Sequence, residues 1–370
     1  MKVYFDSVST TSINDEVLET YKKLLDKYYA NSDALYDDGV AIYNMQEKSR
    51  SGIASTFKVN NNEVIFTSGS SEANSLAIKG LCLGQNTRKQ IITSYFEHSS
   101  VYNSIKQLEN NFGFKVIYLK PINGIISAKQ VEEVINQDTI LVSIMCVNNE
   151  IGSINDIENI KEVVKKNSGT YLHVDFTQAL GKLDINLKDI DLASFSMHKI
   201  HGLKGSGFLI KKQHVNLLPL ISGGQQEFGI RGGTSNALVN ALAYKTLRIA
   251  LENKDKNNKR IHELNIYLRD KLKEIPSISI NEISNYVDNI ISIQTPLTSE
   301  VMMNSLNKYQ IMVSSKSTCG SRSNENSRSI ISLGKDDNYT IRISLEASNS
   351  IEEIDYVIKC LKEIINKYGI

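Results

Sequence analysis

The chain is 370 residues long, with 41% hydrophobic and 22% charged residues, which is ordinary for a globular protein and too apolar for a disordered one. Its 42 basic and 41 acidic side chains leave a net charge of +1, which argues against a broad surface for nucleic acid or anionic membrane. Length by itself allows two or three domains, or one large α/β core with a smaller companion.

In chain order, short β-branched runs alternate with amphipathic stretches. EVIFTSG (63–69) reads as a strand ending in a small-residue turn, with a helix after it over 71–83. KQIITS (89–94) predicts the next strand and 101–110 a helix. FKVIYL (114–119), a helix over 127–136 and TILVSIMCV (139–147) continue the alternation. A helix near 156–166 precedes TYLHVD (170–175), and runs at 191–196 and 206–211 add strands at one side. This order is the sequence form of a parallel sheet covered on both faces. From residue 235 the texture changes. A long helix over 236–275, strands at 290–294, 311–315 and 340–345, and helices near 299–308 and 351–367 predict a smaller α+β unit. The expected division is a large domain over 14–250 and a small one made of 1–13 and 251–370.

No apolar run is long enough to span a bilayer, and the opening MKVYFDSVSTTS has no signal-peptide core. Cys82, Cys146, Cys319 and Cys360 lie far apart with no C-x-x-C pair. That spacing points to a reducing cytoplasm, not to a disulfide framework or a zinc site.

Three segments carry candidate chemistry. In SFSMHKIHGLKG (194–205) Lys199 follows directly on a strand-like run, and a lysine at a strand end can condense with an aldehyde if neighbours depress its pKa. In YLHVDFTQALG (171–181) Asp175 closes a strand at the edge where α/β proteins place ligands; it suits a cation such as a protonated pyridine nitrogen, or caps a helix near Thr177. TSGSSEANSLAIKG (67–80) sets small residues and hydroxyls between a strand and a helix start, a place that favours a phosphate or simply caps the helix. No GK[ST] or G-x-G-x-x-G follows.

The order phosphate turn, Asp strand, Lys strand resembles fold-type I pyridoxal-phosphate enzymes. With VYFDSVSTT (3–11), FEHSSV (96–101), VNNEIGSINDI (147–157), GGQQEFGIRGGT (223–234), VSSKSTC (313–319) and TIRISL (340–345), the chain resembles cysteine desulfurases over nearly its whole length. The short distance from Cys319 to Arg342 is similar to the branch with a long cysteine loop, here about 314–330. The resemblance implies an α/β fold with a mainly parallel seven-stranded sheet, pyridoxal 5'-phosphate as cofactor, L-cysteine as substrate, a homodimer and a sulfur-acceptor protein for iron–sulfur assembly or tRNA thiolation. It implies no direct contact with nucleic acid or membrane, and no metal. Residue by residue, Lys199 would hold the cofactor, Asp175 would keep its ring nitrogen protonated, and His98 would stack on the ring and help move protons. Gln178 and Asn149 would contact its phenolic oxygen and the substrate. Ser70, Ser71, Ser196 and His198 would hold the phosphate, and Thr234 would reach the phosphate of the neighbouring subunit. Arg342 would clamp the substrate carboxylate, and Cys319 would attack its sulfur.

Several positions depart from the family. Tyr36 replaces a histidine, Ser75 an asparagine, Met197 a small residue, Leu203 a proline, Phe228 a basic residue and Lys316 a glycine, and SLEA (344–347) replaces SLG-R. The same fold and cofactor also serve selenocysteine lyases, cysteine-sulfinate lyases and class V aminotransferases, and a non-catalytic homologue stays open. Cys319 argues against an aminotransferase, which needs no such thiol.

Overall fold

Strands that are buried at every position must be covered on both faces, and that requirement organises the molecule. The computed structural model describes residues 1–84, 87–315 and 326–368. Its strands are β1 (Val3–Tyr4), β2 (Val64–Thr67), β3 (Gln90–Ser94), β4 (Lys115–Leu119), β5 (Thr139–Met145), β6 (Tyr171–Asp175), β7 (Leu192–Ser196), β8 (Gly207–Lys211), β9 (Ser279–Ile280), β10 (Ile290–Gln294), β11 (Ile311–Met312) and β12 (Thr340–Ser344). Seven form one sheet in the order β2-β8-β7-β6-β5-β3-β4. Only β8 runs against its neighbours, pairing antiparallel with both β2 and β7. The central strands are buried along their whole length, whereas the edge strand β4 is partly open. Under the sheet, Phe195 stacks on Phe208 at 4.7 Å and on Phe176 at 5.7 Å. Burial of each such ring contributes about 1.5–3 kcal/mol.

A second core gathers residues from both ends of the chain. Antiparallel β9, β10 and β12 carry Ile291 opposite Ile343 and Ile293 opposite Ile341. These pack with helices Lys254–Lys273, Ser299–Lys308 and Ile351–Lys367. The helix Ile351–Lys367 starts with a reciprocal cap: Ser350 Oγ accepts from the Glu353 amide, and the Glu353 carboxylate accepts from the Ser350 amide. Val3 and Phe5 belong to this core because β1 pairs parallel with β11 and Asp6 bridges to Ser344.

Several elements differ from the sequence expectation. The helix expected over 127–136 is only Ala128–Glu132. The long helix over 236–275 is two, Ala237–Glu252 and Lys254–Lys273, parted at Asn253, whose side chain donates to the Ile249 carbonyl and competes with the helical bond. The strand expected at 311–315 covers Ile311–Met312. The helix after the small-residue turn runs Ser70–Ser75, widens into a π turn at Leu76–Gly80 and resumes at Leu81–Gly84. At Gly80 the backbone is crossed by Leu218, whose amide donates to the Gly80 carbonyl and whose carbonyl lies 2.9 Å from where a Cβ would stand. Helices Asp15–Lys27 and Asp37–Phe57 are additions to the expected set.

Candidate active site

β2, β3, β5, β6 and β7 all end at one edge of the sheet, so the residues just past their carboxyl ends converge there. They enclose a cavity of about 220 Å³ lined by Ser70, Ser71, His98, Asn149, Asp175, Gln178, His198, Lys199 and Arg342. Positions far apart in the sequence thus share one space. Ser196 is buried beside the phosphate turn, its Oγ 3.8 Å from where a Cβ on Gly69 would lie. Gly69 itself has φ +148°, and a Cβ on the facing Gly207 would stand 2.6 Å from the Gly69 Cα, so glycine is required at both. Thr234 is exposed on its loop, outside this cavity. Cys319 and Lys316 lie outside the described residues.

Alternation along each strand aims the polar groups. In β12, Ile341 and Ile343 face the second core, so Arg342 between them faces the cavity. Its guanidinium is 2% exposed. Nη1 donates to the Asn149 carbonyl at 2.7 Å, and Nη2 donates to Asp6 at 2.8 Å and Ser9 Oγ at 2.9 Å. Nε has no partner among the described residues. Lys199 ends the short turn after β7, and its Nζ donates to the Val8 and Ser9 carbonyls at 2.7 and 2.6 Å.

Asp175 does two things at once. Oδ1 accepts from the Thr177 amide at 2.9 Å and fixes the turn there, while Oδ2 accepts from Asn74 Nδ2 at 2.8 Å. Asn74 also donates to Ser100 Oγ, which sits 2.8 Å from His98 Nδ1. A hydrogen-bonded chain therefore joins Asp175 to His98. The Ser100 amide also donates to Nδ1, so that nitrogen is the acceptor and Nε2 carries the proton of the neutral ring. Burial holds the His98 pKa below its usual value, and Lys199 and Arg328 push it the same way against Asp175. His98 also caps helix Ser99–Phe112. Asn148, not Asn149, fixes the adjacent turn, accepting from the Glu150 and Ile151 amides.

Asn74, Ser100 and Glu97 were not among the expected site residues. All three lie inside the motif segments, but only the fold reveals that Asn74 touches Ser100 and that Glu97 is buried. Glu97 is buried, with Oε1 accepting from the Ser94 hydroxyl and from the Met145 amide at 3.0 Å, and Oε2 unpartnered among the described residues. Burial pushes its carboxyl up to about 8, with Asp175 adding to the rise, so it is neutral at physiological pH. The fold thus keeps a proton that the unfolded chain releases between about pH 4.5 and 8, and stability is lost as pH rises through that window. His173, bridged between Ser143 and Ser194, and His198 behave oppositely. Burial holds both near 4, so their contribution is present above about pH 6.5 and is lost as pH falls towards 4. Urea midpoints at pH 6.5 and 8 test the Glu97 assignment. The parent should lose about 1–2 kcal/mol more across this interval than Glu97→Gln, whose neutral amide has no proton to give up. Equal losses would show that Glu97 is ionised in the fold.

Cys82, Cys146 and Cys360 are buried, and burial raises each thiol pKa, that of Cys146 to about 12, which disfavours the reactive thiolate.

A class V aminotransferase family model matches residues 3–357. The cysteine desulfurase IscS of Clostridium botulinum is 34% identical over 379 aligned residues, covering 99% of this chain and 95% of that protein. The NifS/IcsS protein homolog of Lactobacillus delbrueckii is also 34% identical, covering 99% and 98%. Among solved structures, a NifS-like protein superposes with a TM-score of 0.92 at 33% identity, covering 99% of this chain and all (100%) of that one. SspA in complex with cysteine superposes with a TM-score of 0.82 at 33% identity over 94% of this chain. Among the described residues no helix is long and apolar enough to cross a membrane.

Proposed function

We infer the activity from one premise: the chain belongs to the class V aminotransferase family, among relatives that are cysteine desulfurases along their full length. Enzymes of this family depend on pyridoxal phosphate. On that premise the protein is a cysteine desulfurase, which converts L-cysteine to L-alanine and leaves the sulfur as a persulfide on Cys319. The observation that carries this reading is the buried Arg342 guanidinium, its Nε without a partner among the described residues, in the same cavity as the Lys199 amine.

The cavity suits the cofactor. Thr177 Oγ1 and Gln178 Oε1 are buried there without partners among the described residues, as is Ser196 Oγ beside the phosphate turn, and a polar occupant would satisfy them. The backbone is bare at Gly69, and the first turn of the following helix leaves its amides open to a phosphate. When bound, the cofactor supplies an aldehyde for an amine and an electron sink conjugated to Cα. Lys199 holds it and moves the proton at Cα. Asp175, anchored by Thr177 and Asn74, holds the proton on the ring nitrogen. His98 presents Nε2–H while the Asp175–Asn74–Ser100 chain fixes its ring. Gln178 and Asn149 orient the substrate, Ser70, Ser71, Ser196 and His198 bind the phosphate, and Arg342 takes the carboxylate, a task suited to a planar two-pronged donor. The Cys319 thiolate attacks the substrate Sγ; the S–S bond forms, the Cβ–S bond breaks, and its electron pair leaves with the carbon that is reprotonated to give alanine.

The exposed Thr234 supports a homodimer in which its loop reaches the neighbouring phosphate site, and the separate cores support the division at about residue 250. A cytoplasmic enzyme serving a sulfur-acceptor protein fits its free, scattered cysteines. The test is mass spectrometry of the protein after L-cysteine without reductant. One extra sulfur is expected on Cys319 with alanine released, and Cys319→Ser should bind L-cysteine but acquire no sulfur. Sulfur found on another cysteine would remove Cys319 from the mechanism.

A further inference from the structure

A second, larger cavity of about 350 Å³ lies on the other side of Lys199, which lines both. Its volume is at the lower end of small-molecule sites. Leu180, Ile200 and Ile261 give it an apolar wall. Opposite them stand Lys182, Asn289 and Glu346, none of which serves the chemistry described above.

The polar groups are unsatisfied in a complementary way. Asn289 is 5% exposed, and its Oδ1 has no donor among the described residues. Glu346 Oε1 is buried and likewise without a donor, while Oε2 takes only a long bond from Ser348. Lys182 makes no hydrogen bond or ion pair through its amine among the described residues; its carbonyl accepts from Asn258 and its backbone amide donates to the Ala179 carbonyl. Burial, helped by Lys199, pushes the Lys182 amine down to about 8, and burial raises the Glu346 carboxyl. The two side chains thus face one space without pairing with each other. Two acceptors there lack a donor, and one donor lacks an acceptor. A molecule carrying an ammonium and a carboxylate satisfies all three.

We propose that this cavity binds a small zwitterionic α-amino acid, its carboxylate on Lys182, its ammonium between Glu346 and Asn289, and its side chain on the apolar wall. Lys199 lines both cavities, so the site is placed to report free amino acid to the reacting lysine.

Equilibrium dialysis of the holoenzyme with labelled L-alanine, up to about 20 mM to fill even millimolar sites, tests this. L-Alanine carries both charged groups and has no sulfur to transfer. The parent should bind two molecules per chain. Lys182→Met should remove one, and Glu346→Gln should weaken that same one about tenfold, the loss of a charge-assisted bond. Retained cofactor absorbance in each variant shows that the fold is intact. Arg342→Ala should keep the site at Lys182 and lose the other. A single alanine in the parent that survives Lys182→Met but not Arg342→Ala would overturn this proposal and leave the desulfurase reading in place. A single alanine lost in Lys182→Met and kept in Arg342→Ala would support this site and remove the substrate role of Arg342.

Discussion

Lys199→Ala is expected to reduce L-cysteine turnover by at least about 10³-fold, the scale of a missing positioned acid–base and covalent group. Among the described residues the amine has no substitute in the cavity: the other basic groups there are Arg342, held by Asp6, Asn149 and Ser9, and the two imidazoles. Borohydride reduction of the parent should leave cofactor attached to the Lys199 peptide, and the variant should carry none. The fold should survive, since Lys199 is a half-buried end-of-turn residue whose amine bonds the Val8 and Ser9 carbonyls, which water can also serve. Covalent cofactor on a different peptide would assign the reaction to another lysine.

Arg50→Ala is expected to have the largest effect on stability, a loss of about 3–5 kcal/mol in urea unfolding. Arg50 is 2% exposed and forms two parallel bonds to Glu227, at 2.7 and 2.9 Å, with Nε on Glu47 at 3.0 Å. Its guanidinium also lies 4.6 Å from the Phe66 ring and 5.0 Å from that of Phe228. Glu227 in turn accepts from the Phe66 amide in β2 at 2.7 Å. Removing the arginine leaves a buried carboxylate without its cation. It also releases a strained loop, because Glu227 (φ 47°) and Phe228 (φ 59°) are successive non-glycine residues in the left-handed region. That loop leads to Thr234. Arg50→Lys should recover only part of the loss, since a point charge cannot make the parallel pair. Adding Glu227→Gln to Arg50→Ala should restore stability, because it removes the unpaired charge. Additive losses in the double variant would contradict the pairing. The same contact accounts for Phe228: where a basic residue would repel Arg50, an aromatic face attracts it.

Local pattern was enough for much of this protein. The runs VIFT, QIITS, TILVSIM and YLHVD are apolar enough to require a covered sheet whatever surrounds them. The residues that close them, Asp175 and the segment to Lys199, lie by construction at the sheet edge, so strand ends singled out these candidates, while their roles rest on the family resemblance. Helices Asp15–Lys27 and Asp37–Phe57 were not. The second has Gly39 and Gly52 within it and a weak apolar stripe, and it packs through Gly52, where the Tyr244 ring comes within 2.4 Å of where a Cβ would stand. That contact is tertiary, and no propensity anticipates it. The same holds for the β1–β11 pairing, which joins the two ends of the chain, and for the chain from Asp175 through Asn74 and Ser100 to His98. Burial decided the rest. Glu97 reads as an ordinary acid beside a histidine, yet it is neutral because the fold removes it from water. Lys182 and Glu346, far apart in the sequence, line one cavity without pairing with each other because β12 and the segment after β6 bring them together beside Lys199. Residue type and spacing determined the central sheet strands and the candidate reactive groups. Only packing decided which of them meet, and which of them are charged when they do, because both depend on distance and on the exclusion of water.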